Sequence, residues 1–573
     1  MMTPGLAGFI ASGEGSQTSD VVLAEVLAAL GQDFGLEPDR AAARSARRRT
    51  WFDTFDWRLY RAGLTLEYVA APRGGELRLS GASPANAANA PGTTPAAAVG
   101  AAPAADTVQR APGWQASRPH PLRDLPYGSI ATSISGVVAP RALLPEVTIT
   151  GTTATYRLLN EDGKTVARLL IENPALATGE RQPLPPRLTI TEVRGYLTQA
   201  RRAARIVASI PGVRPITQPL LADALHAVGR YPGDYSNKVA TQITARMPAA
   251  EAAATILLRL LDTVEANVPG VLRDIATEFL HDLRVAVRRT RSALKLFGDA
   301  LTAPAVAKGS ALTGGELARF TAEFKWVGDL TTPTRDLDVH LLDFEDTARS
   351  LTAAKPDDLE PFRAYLTQRR VREFRALARG LRSPRFVTLT RDWRERLTTI
   401  RESANRTTGT TGRSGSSRRA AGETTGTLAA DRTRLAFAKV AKRGAAITPV
   451  SPADNLHDLR KRCKELRYAL EFFAPLYPAD SYGAVLGDLK RLQDCLGEFQ
   501  DTEVQIDEIR ALAVSMLAAN EAPAVTLLAM GEVTASLAAR QLAAREDFER
   551  RFAAFAGADG QRRMAALLRG GSA

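Results

Sequence analysis

Two short runs of basic residues, each opened by a histidine, hold the side chains in this sequence best suited to chemistry. His281, Arg284, Arg288, Arg291 and Lys295 advance by three or four residues at a time, and His457, Arg460, Lys464 and Arg467 do the same. Residues at that spacing share one face of a helix. Guanidinium forks hold phosphate oxygens in bidentate fashion, and ammonium groups add point charges. From His281 to Lys295 the run covers about 21 Å of helix, and its like charges repel one another unless something anionic lies along them. A linear polyanion matches that geometry.

The two runs belong to a duplicated segment. Leu280-His281-Asp282-Leu283-Arg284 recurs unchanged as Leu456-His457-Asp458-Leu459-Arg460, 176 residues later, and Phe297 matches Phe473 at the same offset. Lys325, Asp329 and Asp336 return 165 residues later as Lys490, Asp494 and Asp501. Two anchors in the same order indicate an internal repeat. Apolar residues fix the placement of each run: Leu280, Leu283, Val287, Leu294 and Phe297 form one stripe, and Leu456, Leu459, Cys463, Leu466, Leu470 and Phe473 the other. Each basic stripe follows its apolar stripe by one residue, about 100° of rotation. The cations therefore sit at the margin of the core, facing the groove against the next helix.

Two readings stay open at this level. The arginines either serve a ligand or pair with Asp336, Asp338 and the acids between Asp494 and Asp501, and pairing weighs more for Arg289 and Arg462. His281 and His457 either contact ligand or fill a capping or buried hydrogen-bonding role at a helix start. Arg289, Lys461, Lys325 and Lys490 are further candidate contacts. Cys463, on the apolar stripe, reads as core.

Composition agrees with an anionic ligand. Lys plus Arg number 75 against 62 Asp plus Glu, a net charge of +13. That balance points to nucleic acid, polyphosphate or an acidic membrane surface. Two cysteines make no disulfide framework, the start from Met1 to Gly13 lacks signal-peptide character, and no long apolar run predicts a membrane span. A cytoplasmic protein is expected.

The elements that must position these residues fall into regions. Residues 1–210 show short strand-like alternation, with Asn160-Glu161-Asp162-Gly163 reading as a hairpin connection. An Ala/Pro/Gly/Thr tract at about 81–112 interrupts it as a flexible insert. Residues 211–230 read as a linker. From 231 to 573 the period becomes helical, broken at about 404–428 by a Thr/Gly/Ser/Arg tract of flexible-linker composition.

The helical region resembles the CHAD family, the conserved-histidine α-helical domain. The resemblance rests on His281 to Arg291, Arg335-Asp336-Leu337-Asp338, His457 to Arg460 with Leu466-Arg467-Tyr468, and Leu489 to Gly497 with Asp501. It implies two pseudo-symmetric four-helix bundles whose basic surface binds inorganic polyphosphate. His281, Arg284, Arg288, Arg291, His457, Arg460, Lys464 and Arg467 are the contacts it carries over, with Lys295 completing the first stripe. Glu471 stands where the first copy has Lys295, which predicts a second stripe that is shorter or locked by a salt bridge.

The N-terminal region resembles a CYTH, or triphosphate-tunnel, domain at Phe52-Asp53-Thr54, Leu59, Gly63 and Leu66. It departs from that family in lacking the opening Glu-x-Glu-x-Lys and in reading Leu66-Glu67-Tyr68-Val69 where the family has Leu-Arg-x-Arg. The carboxylates that would hold a catalytic metal are missing, and phosphoryl hydrolysis needs such ions. The expectation is an α+β multidomain chain: a degenerate, non-catalytic, antiparallel β-barrel-like domain followed by an all-α domain. No metal and no cofactor are expected, and Asp53-Thr54 is assigned to structure. Inorganic polyphosphate is the expected partner, with polyphosphate-granule proteins beside it and no membrane. The alternatives are a triphosphatase or polyphosphatase of the tunnel domain, and a general polyanion or nucleic-acid binder. The last is disfavoured because the stripes lack interleaved aromatics for base stacking.

Overall fold

The computed structural model describes residues 7–11, 19–39, 47–71, 74–81, 107–177, 182–239, 241–303, 311–409 and 423–570. The chain divides into two units, Met1–Ser236 and Asn237–Ala573.

The first unit is built on one antiparallel sheet: β1 (Ala7–Ala11), β2 (Gly35–Pro38), β3 (Arg47–Thr54), β4 (Leu64–Val69), β5 (Gly75–Gly81), β6 (Thr107–Ala111), β7 (Leu143–Leu159), β8 (Thr165–Leu176), β9 (Arg187–Glu192) and β10 (Val213–Pro215). Their order is β10-β1-β9-β8-β7-β3-β4-β5-β6, with β2 on the far part of β7. The antiparallel α+β expectation holds. Among the described residues the pairings form an open path that ends at β6 and β10, rather than the closed ring a barrel needs. Period-two burial explains the strands: Leu64, Leu66 and Tyr68 of β4 and Leu77 and Leu79 of β5 point into one core beneath helix α3 (Ser129–Val138). The other end of the sheet is covered by α1 (Ser19–Asp33) and α4 (Leu197–Ala208). The β7–β8 connection is the expected hairpin turn, with Gly163 at φ 69° and Asn160 Oδ1 accepting from Lys164 N at 2.8 Å.

Two boundaries differ from the sequence reading. Thr107–Ala111, placed in the flexible insert by composition, is strand β6, and Ala111 is fully buried against β5. Residues 82–106 of that insert lie outside the described residues. The supposed linker 211–230 contains β10 and helix α5 (Leu220–Ala227), whose Leu220, Ala224 and Leu225 join a core cluster with Trp57 and Ile149. A helix of eight residues shows too few turns for its period to stand out.

Asp53 is structural. Its buried carboxylate accepts from Leu59 N at 2.9 Å and Tyr60 N at 2.8 Å, closing the short helix α2 (Arg58–Arg61), and burial pushes its pKa up to about 7. Glu67, at the altered tunnel-wall position, is paired with Arg49, which also reaches Glu172 at 2.6 Å. Strand β1 reads Ala-Gly-Phe-Ile-Ala and carries no carboxylate.

The second unit is helical: α6 (Ala249–Leu272), α7 (Thr277–Thr302), α8 (Gly314–Leu342), α9 (Phe344–Arg349), α10 (Glu360–Leu381), α11 (Pro384–Gly409), α12 (Thr425–Ala445), α13 (Ala453–Phe472), α14 (Ala479–Ala518), α15 (Ala524–Ala556) and α16 (Ala558–Gly570). Helices α11 and α12 run into the tract read as flexible at 404–428, shortening it from both sides; residues 410–422 lie outside the described residues. Helices α6 and α12 start 176 residues apart, as do α7 and α13, so the repeat extends to whole helices. A shared core joins the copies: Leu337, Phe344, Phe362 and Leu366 of the first pack with Ile506, Ile509, Met530 and Val533 of the second.

Candidate polyanion site

A pseudo-two-fold axis relates the two copies. Ala249 N donates to Glu423 O at 2.9 Å, and Thr425 N donates to Met247 O at 2.8 Å. Each of these contacts is the other displaced by 176 residues, the reciprocity of an isologous interface. The same relation recurs deeper in the unit. Phe297 packs edge-on against its own counterpart Phe473, ring centroids 5.5 Å apart. Arg289 pairs with Glu471 at 2.7 Å while Lys295 pairs with Glu465, the same two positions with the copies exchanged. First-copy residues supply both cations and second-copy residues both carboxylates. These ion pairs bind α7 to α13 at the axis.

That axis brings the two basic stripes together. Arg288 and Lys464 are counterparts, and the charge of Arg288 is felt at Lys464. The Lys464 ammonium is lowered to about 8, chiefly by burial and then by Arg460 and Arg288 beside it, with Asp501 opposing. Three cations therefore converge on a half-buried point with one nearby carboxylate. Arg460 reaches that carboxylate, Asp501, at 2.9 Å. Among the described residues Arg288 and Lys464 form no ion pair, and Arg288 is exposed.

Other stripe residues make matched contacts in the two copies, now at the second offset of 165. Arg284 donates from Nη1 to Thr332 Oγ1 at 2.7 Å and to Thr331 Oγ1 at 3.1 Å, near Asp336, the counterpart of Asp501. Burial lowers its pKa below the usual arginine range. Arg291 lies over Gly328, where an added Cβ would come within 3.2 Å of Nη1. Arg467 correspondingly reaches Gln493, the counterpart of Gly328, at 3.3 Å. His457 Nδ1 bonds Gln500 Oε1; His281 lies beside Arg335, the counterpart of Gln500, and its pKa is lowered mainly by burial.

The predicted residues thus divide by their state. Arg467 is held by Glu471 at 2.7 Å, the lock expected for the second stripe. Arg289 is committed to Glu471 and to the carbonyl of Asn237. Lys325 pairs with Asp329 at 2.7 Å, Lys461 lies 3.9 Å from Asp458, and Lys490 is exposed. Arg462 pairs with Glu465 at 2.9 Å. Cys463 is fully buried, and burial pushes its thiol up to about 12. Glu278, His281 and Asp282 bring possible metal-ligand atoms within 4.8 Å of one another. Arg335 lies 3.9 Å from Glu278 and Asn237 Nδ2 bonds Asp282 at 3.0 Å, so protein groups already neutralise that cluster.

Beside the axis, between α7, α12 and α13, lies a groove of about 770 Å³. Arg288, Arg291, Lys295, Arg432 and Lys439 line it over an apolar floor that includes Leu294, Tyr468 and Phe472, and Asp299 and Glu465 are its acids. Arg432 and Lys439 were missed from sequence. Their spacing of seven on one helix was a signal, but no histidine or repeated motif marks it.

The family model described as CHAD domain matches residues 255–510. That segment of the chain is a CHAD domain. Two solved structures are similar to the chain. One is the crystal structure of the CHAD domain from the plant Ricinus communis, 25% identical, covering 56% of this chain and 96% of that one with a TM-score of 0.44. The other is PptA from Streptomyces chartreusis, 16% identical, covering 53% and 99% with a TM-score of 0.37. No curated protein matches the chain. Among the described residues no helix is long and apolar enough to cross a membrane.

Proposed function

We propose that the CHAD domain binds inorganic polyphosphate at the pseudo-two-fold axis, where Arg288, Arg460 and Lys464 converge, and along the adjoining groove. The observation that carries this reading is the depressed Lys464 ammonium: cations are held together with too little counter-charge, and an anion would relieve them. A repeating chain of phosphates suits a site with two related halves, since either direction of the chain presents the same oxygens. In this reading the protein acts by binding, at polyphosphate granules or with proteins that handle them. The sheet unit is then a degenerate relative of the triphosphate tunnel without activity, because β1 offers no carboxylate for a metal.

The deciding experiment is a competition assay with labelled long-chain polyphosphate on the purified full chain at physiological salt. RNA, DNA and triphosphate at matched phosphate concentration should displace it poorly. Equal displacement by RNA or DNA would make the site a general polyanion surface, and metal-dependent phosphate release would restore the hydrolase reading.

A pH dependence follows. Free Lys464 titrates near 8, and a bound polyanion raises that value, so the complex holds a proton that the free protein releases. Affinity should be full below pH 8 and fall as pH rises through and beyond it. Lys464→Arg keeps the charge throughout this range and should flatten the profile between pH 7 and 9, as read by isothermal titration. A K464R profile as steep as wild type would assign the proton to another group.

A further inference from the structure

The two copies differ most in one helix. In the first copy α6 is sandwiched between α7 and α11, and its Ile256, Thr263 and Asn267 are buried. The positions 176 residues later on α12 are Arg432, Lys439 and Arg443, with Lys442 alongside. Helix α12 packs mainly on α13, which leaves Lys439, Lys442 and Arg443 exposed. The same element is core in one copy and a basic surface in the other.

Lys439 lines two grooves. One is the groove beside the axis; the other, of about 490 Å³, is lined by Lys439, Lys442, Arg443, Asn455 and Arg462 and has no carboxylate in its wall. Acids touch its rim, where Arg443 reaches Asp458 at 2.9 Å and Arg462 reaches Glu465 at 2.9 Å. Among the described residues Lys439 and Lys442 form no ion pair. The basic path from Arg288 to Lys439 therefore continues past the end of the first groove.

We infer that this second groove is an extension of the polyphosphate site, present in the second copy only, through which the domain distinguishes long chains from short ones. The inference rests on the polyphosphate reading above. The site at the axis is related to itself by the pseudo-two-fold and gives a bound chain no preferred exit. Helix α12 supplies one. A chain of a few phosphates is satisfied at the axis and in the first groove, whereas a longer chain also meets Lys442 and Arg443, about 6 Å of helix beyond Lys439. Each added cation–phosphate contact releases counterions and steepens the salt dependence.

The test compares wild type with Lys442→Glu/Arg443→Glu, titrating each with tripolyphosphate and with long-chain polyphosphate at several salt concentrations. The variant should bind long chains about tenfold more weakly, with a salt slope smaller by about one, and bind tripolyphosphate as wild type does. Because a glutamate at 443 would also face Asp458, the neutral pair Lys442→Gln/Arg443→Gln should be measured too and should show the same ordering. Far-ultraviolet circular dichroism should be unchanged in both. Unaltered long-chain affinity, or an equal loss for both probes, would overturn the extension while leaving the site at the axis intact. If wild type binds neither probe, the polyphosphate reading itself fails and the extension falls with it.

Discussion

With Arg288 and Lys464 both replaced by glutamate, affinity for long-chain polyphosphate is expected to fall by about two orders of magnitude or more. The two residues are counterparts across the pseudo-two-fold axis, and neither is engaged in an ion pair among the described residues. Their reversal turns a convergence of cations into one in which two new carboxylates, with Asp501 beside them, would oppose the ligand. Arg284 and Arg460 are less clean targets, although the motif gives them equal weight. Arg284 bonds Thr331 and Thr332 and faces Asp336, so a glutamate there breaks packing and adds like-charge repulsion. Arg460 is paired with Asp501. A loss of affinity at those positions would mix ligand contact with structural damage. Arg288 is exposed and Lys464 gains nothing from its neighbours in the free protein, so helicity should survive the double reversal. Isothermal titration checks the affinity and circular dichroism the fold. Binding retained within about threefold would place the site elsewhere.

Several of these contacts were legible in the sequence because the chain prints them twice. The offsets of 176 and 165 describe helix starts in one case and cross-helix partners in the other, and the pairs Arg284/Asp336 and Arg460/Asp501 follow from combining them. The locked end of the second stripe was legible too, since Glu471 replaces a lysine. That the stripes converge was not. A helical period places a cation beside the core but says nothing about which helix lies across the groove, and only the axis reveals that Arg288 meets Lys464. The cations of α12 were hidden for a related reason: Lys439 and Arg443 read as an ordinary solvated face until the buried Thr263 and Asn267 show what the same face does in the other copy. In the sheet unit, β6 and α5 were misread because five and eight residues carry too little periodicity, and tertiary burial decides such elements.

Replacing Phe297 with alanine is expected to cost about 3–5 kcal/mol of stability, the usual range for emptying a fully buried aromatic site. The residue is wholly buried and its ring contacts both Phe473, at 5.5 Å, and Phe472, at 6.1 Å. The cavity would open on the pseudo-two-fold axis itself, where α7 and α13 are joined. Arg288 lies on α7 and Lys464 on α13, so their spacing depends on that junction. Polyphosphate affinity should therefore fall in the Phe297→Ala protein even at temperatures where it stays folded, although Phe297 touches no ligand. Met516→Ala provides the comparison: Met516 is equally buried, but in the core that joins Leu337 and Phe344 to Ile509 and Met530, apart from the stripes. Its loss should cost about 2–5 kcal/mol and leave affinity near wild type. Thermal unfolding and titration of both variants separate the two effects. Equal losses of affinity would mean that binding follows overall stability, and the axis would then be only the place where the copies join. Loss in the Phe297 variant alone would show that the junction holds the two stripes at the distance the anion requires.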